Sequence, residues 1–322
     1  ALKSNKIIRS VDYGDTWSEY IDIPEGPEYA ISDIFKRGNY LYLKKYGVSA
    51  IDNQTINKIY KTEIKTNPSA WISLPLNNTI GYHYNFFLND NSILRFYGTK
   101  KMISNDDGLT WIESELKMPI AYVRHSGDGG TIVSFGENYI LVSNDFAESY
   151  VWSKGIPQSS KINDVQFYND FILADIGYKT KNGQLQSTDG LYISYDKGAN
   201  FVKLIDGLSL YDIVNPLSFS ADSSNIFVSF QHGFRKITND NTSYEDCNNG
   251  FNNYIPKNIT EIEIDPSGRI YAYSSAHGLF ISGNNGISWT KDKNLMDPYR
   301  MGAHKISTSS NNIIYSSTYD PG

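Results

Sequence analysis

Three observations predict an all-β fold, a seven-bladed β-propeller: an octapeptide that keeps returning, a second series of turn clusters with the same period, and chain ends that supply complementary parts of one blade. The octapeptide is Ser104-Asn105-Asp106-Asp107-Gly108-Leu109-Thr110-Trp111. Ser10-Val11-Asp12-Tyr13-Gly14-Asp15-Thr16-Trp17 repeats it, and Ser282-Gly283-Asn284-Asn285-Gly286-Ile287-Ser288-Trp289 repeats it with Asn in place of Asp. Ser194-Tyr195-Asp196-Lys197-Gly198-Ala199-Asn200-Phe201 is a fourth copy, and a looser fifth runs from Ser143-Asn144-Asp145 to Trp152 with a short insertion. Repetition at a fixed period marks a repeat architecture before any finer reading.

The residue types explain the motif. An apolar run such as Lys6-Ile7-Ile8-Arg9 or Gly190-Leu191-Tyr192-Ile193 precedes each copy, and an aromatic opens the strand that follows. Between them Asp or Asn caps a tight turn by accepting nearby backbone N–H groups. Gly supplies the positive φ that the turn needs without a Cβ penalty. The Trp or Phe buries a large ring between neighbouring sheets. This chemistry is structural, so it speaks to fold and not to function.

Degenerate copies are placed by period at Asp52 and Asp240, giving seven anchors: Asp12, Asp52, Asp106, Asp145, Asp196, Asp240 and Asn284. Turn clusters form an independent series at Lys36-Arg37-Gly38-Asn39, Asn89-Asp90-Asn91, Gly127-Asp128-Gly129-Gly130, Tyr168-Asn169-Asp170, Ala221-Asp222-Ser223-Ser224-Asn225, Asp265-Pro266-Ser267-Gly268 and Ser309-Ser310-Asn311-Asn312. Each lies between two β-rich runs. A four-stranded unit of ~40–45 residues is one propeller blade. The chain opens on a third strand, Lys6-Ile7-Ile8-Arg9, and finishes on two strands around Ile306 and Ile314. Pairing the N-terminal with the C-terminal strands in one blade closes the ring and removes exposed sheet edges.

The pattern S-x-D-x-G-x-T-W resembles the Asp box (BNR-type repeat) of sialidase-type and xyloglucanase-like β-propellers. The resemblance implies sialidase activity first, but the sialidase arginine motif (F/Y)-R-I-P is absent. The nearest tetrapeptide, Phe234-Arg235-Lys236-Ile237, lies in a late third strand. Of the seven Arg only Arg124 and Arg300 are placed to reach the ligand-binding face, whereas a sialidase needs three on its substrate carboxylate.

Composition excludes several other classes. At 322 residues without a Pro- or Ser-rich linker, the chain reads as one domain over residues 1–322. The net charge of −6 with scattered basic residues leaves no footprint for nucleic acid. No transmembrane segment is expected, since no run approaches the ~20 apolar residues of a span. The single Cys247 cannot form an internal disulfide, and no zinc-type spacing occurs, so neither metal nor other cofactor is expected. A Tyr- and Asn-rich surface poor in Cys points to a bacterial extracellular or periplasmic monomer.

Candidate site residues follow from topology. Turns between second and third strands share one face with the blade-to-blade connections, the face on which propellers most often bind ligands. They read Tyr46-Gly47, Tyr97-Gly98, Phe135-Gly136, Ile176-Gly177, His232-Gly233 and His277-Gly278, then Tyr319 to Gly322. A ring of flat side chains with polar tips suits sugar stacking, although packing of the aromatic over its own turn is the plainer reading. The fifth blade adds a polar insertion over residues 175–189, and the connection 292–304 is a second long loop. The ligand-binding candidates are therefore Tyr178, Lys179, His232, His277, Tyr299 and Arg300. Carboxylates recur near the start of the innermost strands at Asp33, Asp164, Asp212 and Glu261. Paired carboxylates could act as the acid and base of a glycosidase, as the resemblance to Asp-box xyloglucanases implies, though four equivalents at one repeat position read first as a feature of the repeat.

The function expected is a non-catalytic binding module for a glycan or protein ligand on the loop-rich face. The alternatives are a glycoside hydrolase, with Asp33, Asp164 and Asp212 catalytic, and a scaffold or assembly factor similar to the seven-bladed Asp-box factor of photosystem assembly.

Overall fold

The computed structural model describes residues 6–13, 15–24, 30–48, 55–65, 68, 70–75, 83–87, 92–126, 130–158, 161–168, 171–177, 190–204, 219–221, 225–230, 233–238, 244–251, 259–265, 267–274, 277–292, 306–308 and 314–317. The fold is an all-β seven-bladed propeller, with each blade an antiparallel four-stranded sheet. The chain enters through β1 (Lys6–Ser10) and β2 (Ser18–Asp22) of the first blade. The second blade is β3 (Ala30–Arg37), β4 (Tyr40–Val48), β5 (Thr55–Glu63) and β6 (Ile72–Ser73). The third is β7 (His83–Phe87), β8 (Ile93–Tyr97), β9 (Lys100–Ser104) and β10 (Ile112–Glu115). The fourth is β11 (Tyr122–His125), β12 (Ile132–Gly136), β13 (Tyr139–Ser143) and β14 (Val151–Trp152), and the fifth β15 (Lys161–Phe167), β16 (Ile172–Gly177), β17 (Gly190–Ser194) and β18 (Val202–Lys203). The sixth is β19 (Phe219–Ala221), β20 (Asn225–Phe230), β21 (Gly233–Thr238) and β22 (Tyr244–Asp246), and the seventh β23 (Ile259–Ile264), β24 (Ile270–Ser274), β25 (Gly278–Ser282) and β26 (Thr290–Lys291). Finally β27 (Ile306–Thr308) and β28 (Ile314–Ser317) complete the first blade.

That blade has the order β2-β1-β28-β27, with Ile7 opposite Ser317 and Ser10 opposite Ile314. The two ends of the chain are thus hydrogen-bonded as the terminal patterning predicts.

The strands group into two compact units. One comprises Ala1–Ile80, Leu217–Lys236 and Glu245–Gly322. Its core is built blade against blade: Ile7 and Tyr315 meet Leu41, Leu43 and Tyr60, Ile8 and Ile314 meet Tyr271 and Leu279, and Phe227 meets Ile262, Phe280 and Trp289. The other comprises Gly81–Pro216 and Ile237–Tyr244. There Leu94 and Phe96 pack on Val123, Ile132 and Leu141, while Val133 and Phe135 pack on Ile162, Val165 and Ala174. Central strands are covered on both sides, and β12, β17 and β24 are buried at every residue.

Each octapeptide turns the chain from third to fourth strand by one hydrogen-bond pattern. In the third blade the Ser104 hydroxyl donates to Asp106 Oδ1 (2.8 Å) and accepts the Gly108 N–H (2.8 Å). Asp106 in turn accepts the Thr110 N–H (2.9 Å) and hydroxyl (2.6 Å). The same bonds join Ser143, Asp145, Ala147 and Ser149, and Ser194, Asp196, Gly198 and Asn200. In the seventh blade Asn284 takes the place of Asp, accepting the Ser288 N–H through Oδ1 and donating to the Ser288 hydroxyl through Nδ2. The two central residues of each turn have positive φ, as a type I′ turn requires: Asp107 and Gly108 at 60° and 87°, Lys197 and Gly198 at 55° and 88°, Asn285 and Gly286 at 58° and 79°. The Ser is as essential as the Asp, because its buried hydroxyl satisfies an interior N–H that would otherwise lack a partner.

The structure corrects four details of the sequence reading. The fourth-blade copy needs no insertion: Ser149 takes the Thr position and Tyr150 the aromatic slot, while Trp152 follows on β14 and is 63 % exposed. The aromatic slot is not uniformly buried either, since Phe201 and Trp289 are but Trp17 and Trp111 are only half so, and Tyr150 is exposed. Asp52 lies outside the described residues, and the strands that flank it in sequence, β4 and β5, pair as the second and third of their blade, one hairpin too early for a third-to-fourth-strand anchor. In that blade Trp71, just before β6, fills the aromatic slot. Tyr46 and Gly47 are not turn residues, because β4 runs to Val48 and pairs them with Asn57 and Ile56. Asp240 lies outside the described residues.

Three of the slot aromatics tie blades together through their indole N–H, whereas Trp111 Nε1 donates to the Gly108 carbonyl of its own turn. Trp17 Nε1 donates to Asp292 Oδ2 in the seventh blade (2.8 Å), Trp71 Nε1 to the Asp22 carbonyl of the first (2.7 Å), and Trp289 Nε1 to the Cys247 carbonyl after β22 (2.9 Å). Backbone bonds add to this: Phe201 N–H donates to the Lys154 carbonyl and Trp289 N–H to the Asn249 carbonyl, both at 2.9 Å. Gly155 and Gly250 stand beside these bonds at φ of 81° and 97°, where a Cβ would run into the Phe201 and Trp289 carbonyl oxygens respectively.

These contacts have testable consequences in three places: the turn carboxylates, the glycines beside the blade contacts, and the closing strands. Asp196→Ala should lower unfolding free energy by about 1–2 kcal/mol in urea titration, through loss of its turn bonds. The Ser149 hydroxyl and N–H, with the Ser143 hydroxyl, pull the Asp145 carboxyl down to about 2. A depressed folded-state value means stability that is present above the unfolded value of about 3.9 and lost as pH falls towards 2. Asp145→Asn should therefore flatten the fall of the urea midpoint between about pH 4 and pH 2 relative to the wild type; an unchanged pH profile would contradict this. Second, Gly155→Ala should destabilise clearly more than Gly98→Ala, because a Cβ on Gly98 (φ 56°) meets nothing within 4 Å. Third, removing residues 305–322 strips β27 and β28 from β1, and should replace cooperative unfolding by aggregation in a light-scattering melt.

Candidate functional site

The inner strands carry a repeated irregularity. A register shift falls between Ile31 and Asp33 in β3, between Ile162 and Asp164 in β15, and between Ile259 and Glu261 in β23. Each is an extra residue at the same place in its blade, and each is followed by one of the carboxylates singled out in the sequence. A bulge re-aims the side chain after it. The carboxylates thus recur at an equivalent, irregular position of the repeat. The side chains of Asp33 and Glu261 lie outside the described residues, as does Asp212 altogether.

Asp164 is described in full. Its Oδ1 accepts the Val165 N–H (2.9 Å), filling a donor at the bulge, and pairs with Arg124 Nη2 (2.8 Å) from β11. Opposite it in register is Asp175, which is 2 % exposed and accepts a bond from the bulged Asn163 through Nδ2 (3.1 Å). Directly opposed like charges destabilise a sheet; Arg124 and Asn163 provide the compensation.

Beside the ion pair stands an aromatic platform. Tyr122, the first residue of β11, is 60 % exposed, and its ring lies over that of Phe135 at 5.8 Å and 28°. Val123 turns inward and is buried, so Tyr122 and Arg124 share one face of β11 by strand alternation. The Arg124 guanidinium is 5.9 Å from the centroid of the same Phe135 ring. Tyr122, Phe135, Arg124 and Asp164 thus form a continuous chain of contacts within the second unit. A backbone bridge between Glu137 and Lys161, both exposed, links the end of β12 to the start of β15 at the same end of the blades. The arrangement offers one flat apolar surface, one paired guanidinium and one paired carboxylate, which is binding chemistry. Among the described residues no three His, Cys, Asp or Glu side chains converge as a metal site would need.

Of the six ligand-binding residues expected from the sequence, Tyr178, Lys179, His232, Tyr299 and Arg300 lie outside the described residues. His277 is half-buried in the turn between β24 and β25, where its N–H donates to the Ser274 carbonyl (3.2 Å). Asp164 and Arg124, which the sequence marked for different reasons, are brought together. Tyr122 was not anticipated, since attention to Gly-marked turns passes over the first residue of an inner strand. A search for aromatics just after each blade connection would have found it.

No protein-family model matches the chain, and no curated protein matches it in sequence. Solved structures resemble it in fold. The extracellular domain of a hybrid two-component system from B. thetaiotaomicron superposes with a TM-score of 0.61 at 11% identity, over 94% of this chain and 38% of that one. The present chain therefore spans well under half the length of that structure. Acylaminoacyl peptidase of Pyrococcus horikoshii matches with a TM-score of 0.55 at 11% identity, over 87% of this chain and 48% of that one. The β-propeller domain of the Trilobed protease from Pyrococcus furiosus matches with a TM-score of 0.56 at 12% identity, over 91% of each. That domain has an open velcro topology, whereas here β1 pairs with β28.

Proposed function

We propose that this chain is an extracellular, non-catalytic binding module of the Asp-box repeat type, holding a carbohydrate or protein ligand on the face where inner strands begin. The repeated Ser–Asp–Gly–Thr turn supports the repeat assignment. The observation that carries the binding reading is Tyr122: a large ring, 60 % exposed, stacked on a buried ring and flanked by the Arg124–Asp164 pair. Exposure alone does not set Tyr122 apart, since Trp152 and Tyr195 are as exposed; what supports binding is an exposed ring together with directional polar groups on the same strand face. The extracellular placement is in keeping with the extracellular domain among the similar structures. No helix among the described residues is long and apolar enough to cross a membrane.

A hydrolase reading finds less support. Among the described residues the carboxylates that register places opposite each other are Asp164 and Asp175, and a glycosidase needs two carboxyl groups that both reach the scissile bond. Asp175, however, is 2 % exposed and bonded to Asn163, out of reach of a glycosidic oxygen.

Binding should be scored on a glycan array and a peptide array with the wild type and Tyr122→Ala. The expected result is loss of at least about 90 % of signal with an unchanged melting temperature, the effect of removing a central aromatic anchor. Full signal in the variant would place the site elsewhere. Hydrolysis of a polysaccharide that disappears in Asp164→Asn would displace the binding reading altogether.

A further inference from the structure

We infer that the Tyr122 site selects uncharged pyranose rings, as in a neutral oligosaccharide, and discriminates against uronic acids and sulfated or phosphorylated sugars. The inference rests on the binding reading above and names its ligand class.

The platform sets the shape. One face of Tyr122 is covered by Phe135 while the residue is 60 % exposed, which leaves ring surface for a flat partner, and the apolar C–H face of a pyranose is such a partner. Tyr122 and Arg124 lie two residues apart on one face of β11, and both contact the Phe135 ring, at 5.8 Å and 5.9 Å, so the polar groups stand on the same face as the platform.

The ion pair sets the charge. Arg124 is a donor only and Asp164, when ionised, an acceptor only. Their 2.8 Å contact neutralises both, and Glu137 with Lys161 adds one charge of each sign at the same end of the blades. A sugar hydroxyl donates and accepts at once, so neighbouring hydroxyls can bond to the guanidinium and the carboxylate without separating them. An anionic group could bond to the remaining guanidinium N–H donors only while standing beside the Asp164 carboxylate, which already holds Nη2. That would leave the carboxylate beside a second negative charge, and Asp175 lies directly opposite it in the sheet. Charge opposition of this kind is how a site rejects a ligand it could otherwise hold. Long-range attraction is also absent, so binding should be nearly independent of ionic strength.

The test is calorimetric titration of the intact chain with cellohexaose, mannohexaose and xylohexaose against hexagalacturonate, at low and high salt, in the wild type, Tyr122→Ala, Tyr122→Phe and Asp164→Asn. At least one neutral hexasaccharide should bind with little salt dependence. Tyr122→Ala should weaken it by about tenfold or more, equivalent to ~1.4 kcal/mol. Tyr122→Phe should keep the affinity, because the stack needs the ring and not the hydroxyl. Asp164→Asn should weaken the neutral ligand and, by freeing Arg124 from its countercharge, strengthen hexagalacturonate. If the wild type binds hexagalacturonate and no neutral sugar, with loss in Tyr122→Ala, the site stands and the neutral selectivity is wrong. If a neutral sugar binds equally well to Tyr122→Ala, the site itself is wrong. Absence of binding by all four sugars overturns the inference, while a peptide ligand lost in Tyr122→Ala would still uphold the binding reading.

Discussion

The bond on which much of this structure depends is the one between the motif serine, the Asp that follows two residues later and the backbone N–H of the motif glycine. A propeller blade ends in a short fourth strand, only two residues long in β14, β18 and β26. So short a strand contributes little pairing of its own. It must be delivered by its turn, and the turn needs two successive residues at positive φ. The Ser–Asp–Gly–Thr bonds hold that conformation from inside, with each serine hydroxyl buried and used as both donor and acceptor. Ala147 occupies the glycine position of the fourth blade at φ 62°, a strained setting for a residue with a Cβ, and its methyl packs with Leu94, Phe96 and Leu141 in return.

From that turn the blade-to-blade contacts follow. Trp71 and Trp289 reach from their slots to the exit of the preceding blade's fourth strand, at Asp22 and Cys247. The contact combines burial of a large ring with a directional N–H bond, so it fixes both distance and orientation between sheets. It also dictates small residues on the receiving side, which accounts for Gly155 and Gly250. Their conformational freedom is used for close backbone approach and positive φ together.

The fold was legible because its determinants are local and repeated. Seven blades, the pairing of β1 with β28 and the Ser–Asp–Gly–Thr turns could all be read from spacing. The errors arose where a copy had diverged. Asp52 attracted an anchor because it carries the right residue type, yet only strand length tells that β4 and β5 form a long hairpin around it. Trp152 attracted the aromatic slot because it is the only Trp nearby, although strict spacing from Asp145 leads to Tyr150. Gly155 and Gly250 could not be read at all, since their constraint comes from a carbonyl in the next blade. The site was less legible still. Arg124 and Asp164 are forty residues apart and no spacing rule joins them, while the exposure of Tyr122 depends on which neighbours fail to cover it.

The same logic separates scaffold carboxylates from functional ones. Asp12, Asp106, Asp145 and Asp196 use their oxygens on their own turns, and a second acidic series at Asp33, Asp164 and Glu261 sits at the repeated bulges. Neither series needs a substrate to explain it. What the repeat does not explain is the use made of its Asp164 copy, where Arg124 reaches across from the neighbouring blade and Tyr122 stands exposed two residues before it. A rigid scaffold of equivalent blades lets one position depart from the rest without loss of the fold, because each blade is stabilised chiefly through its own turn and its nearest neighbours. At the Asp164 copy it is the exposed ring beside a neutralised ion pair, and not the acidic series itself, that speaks for binding.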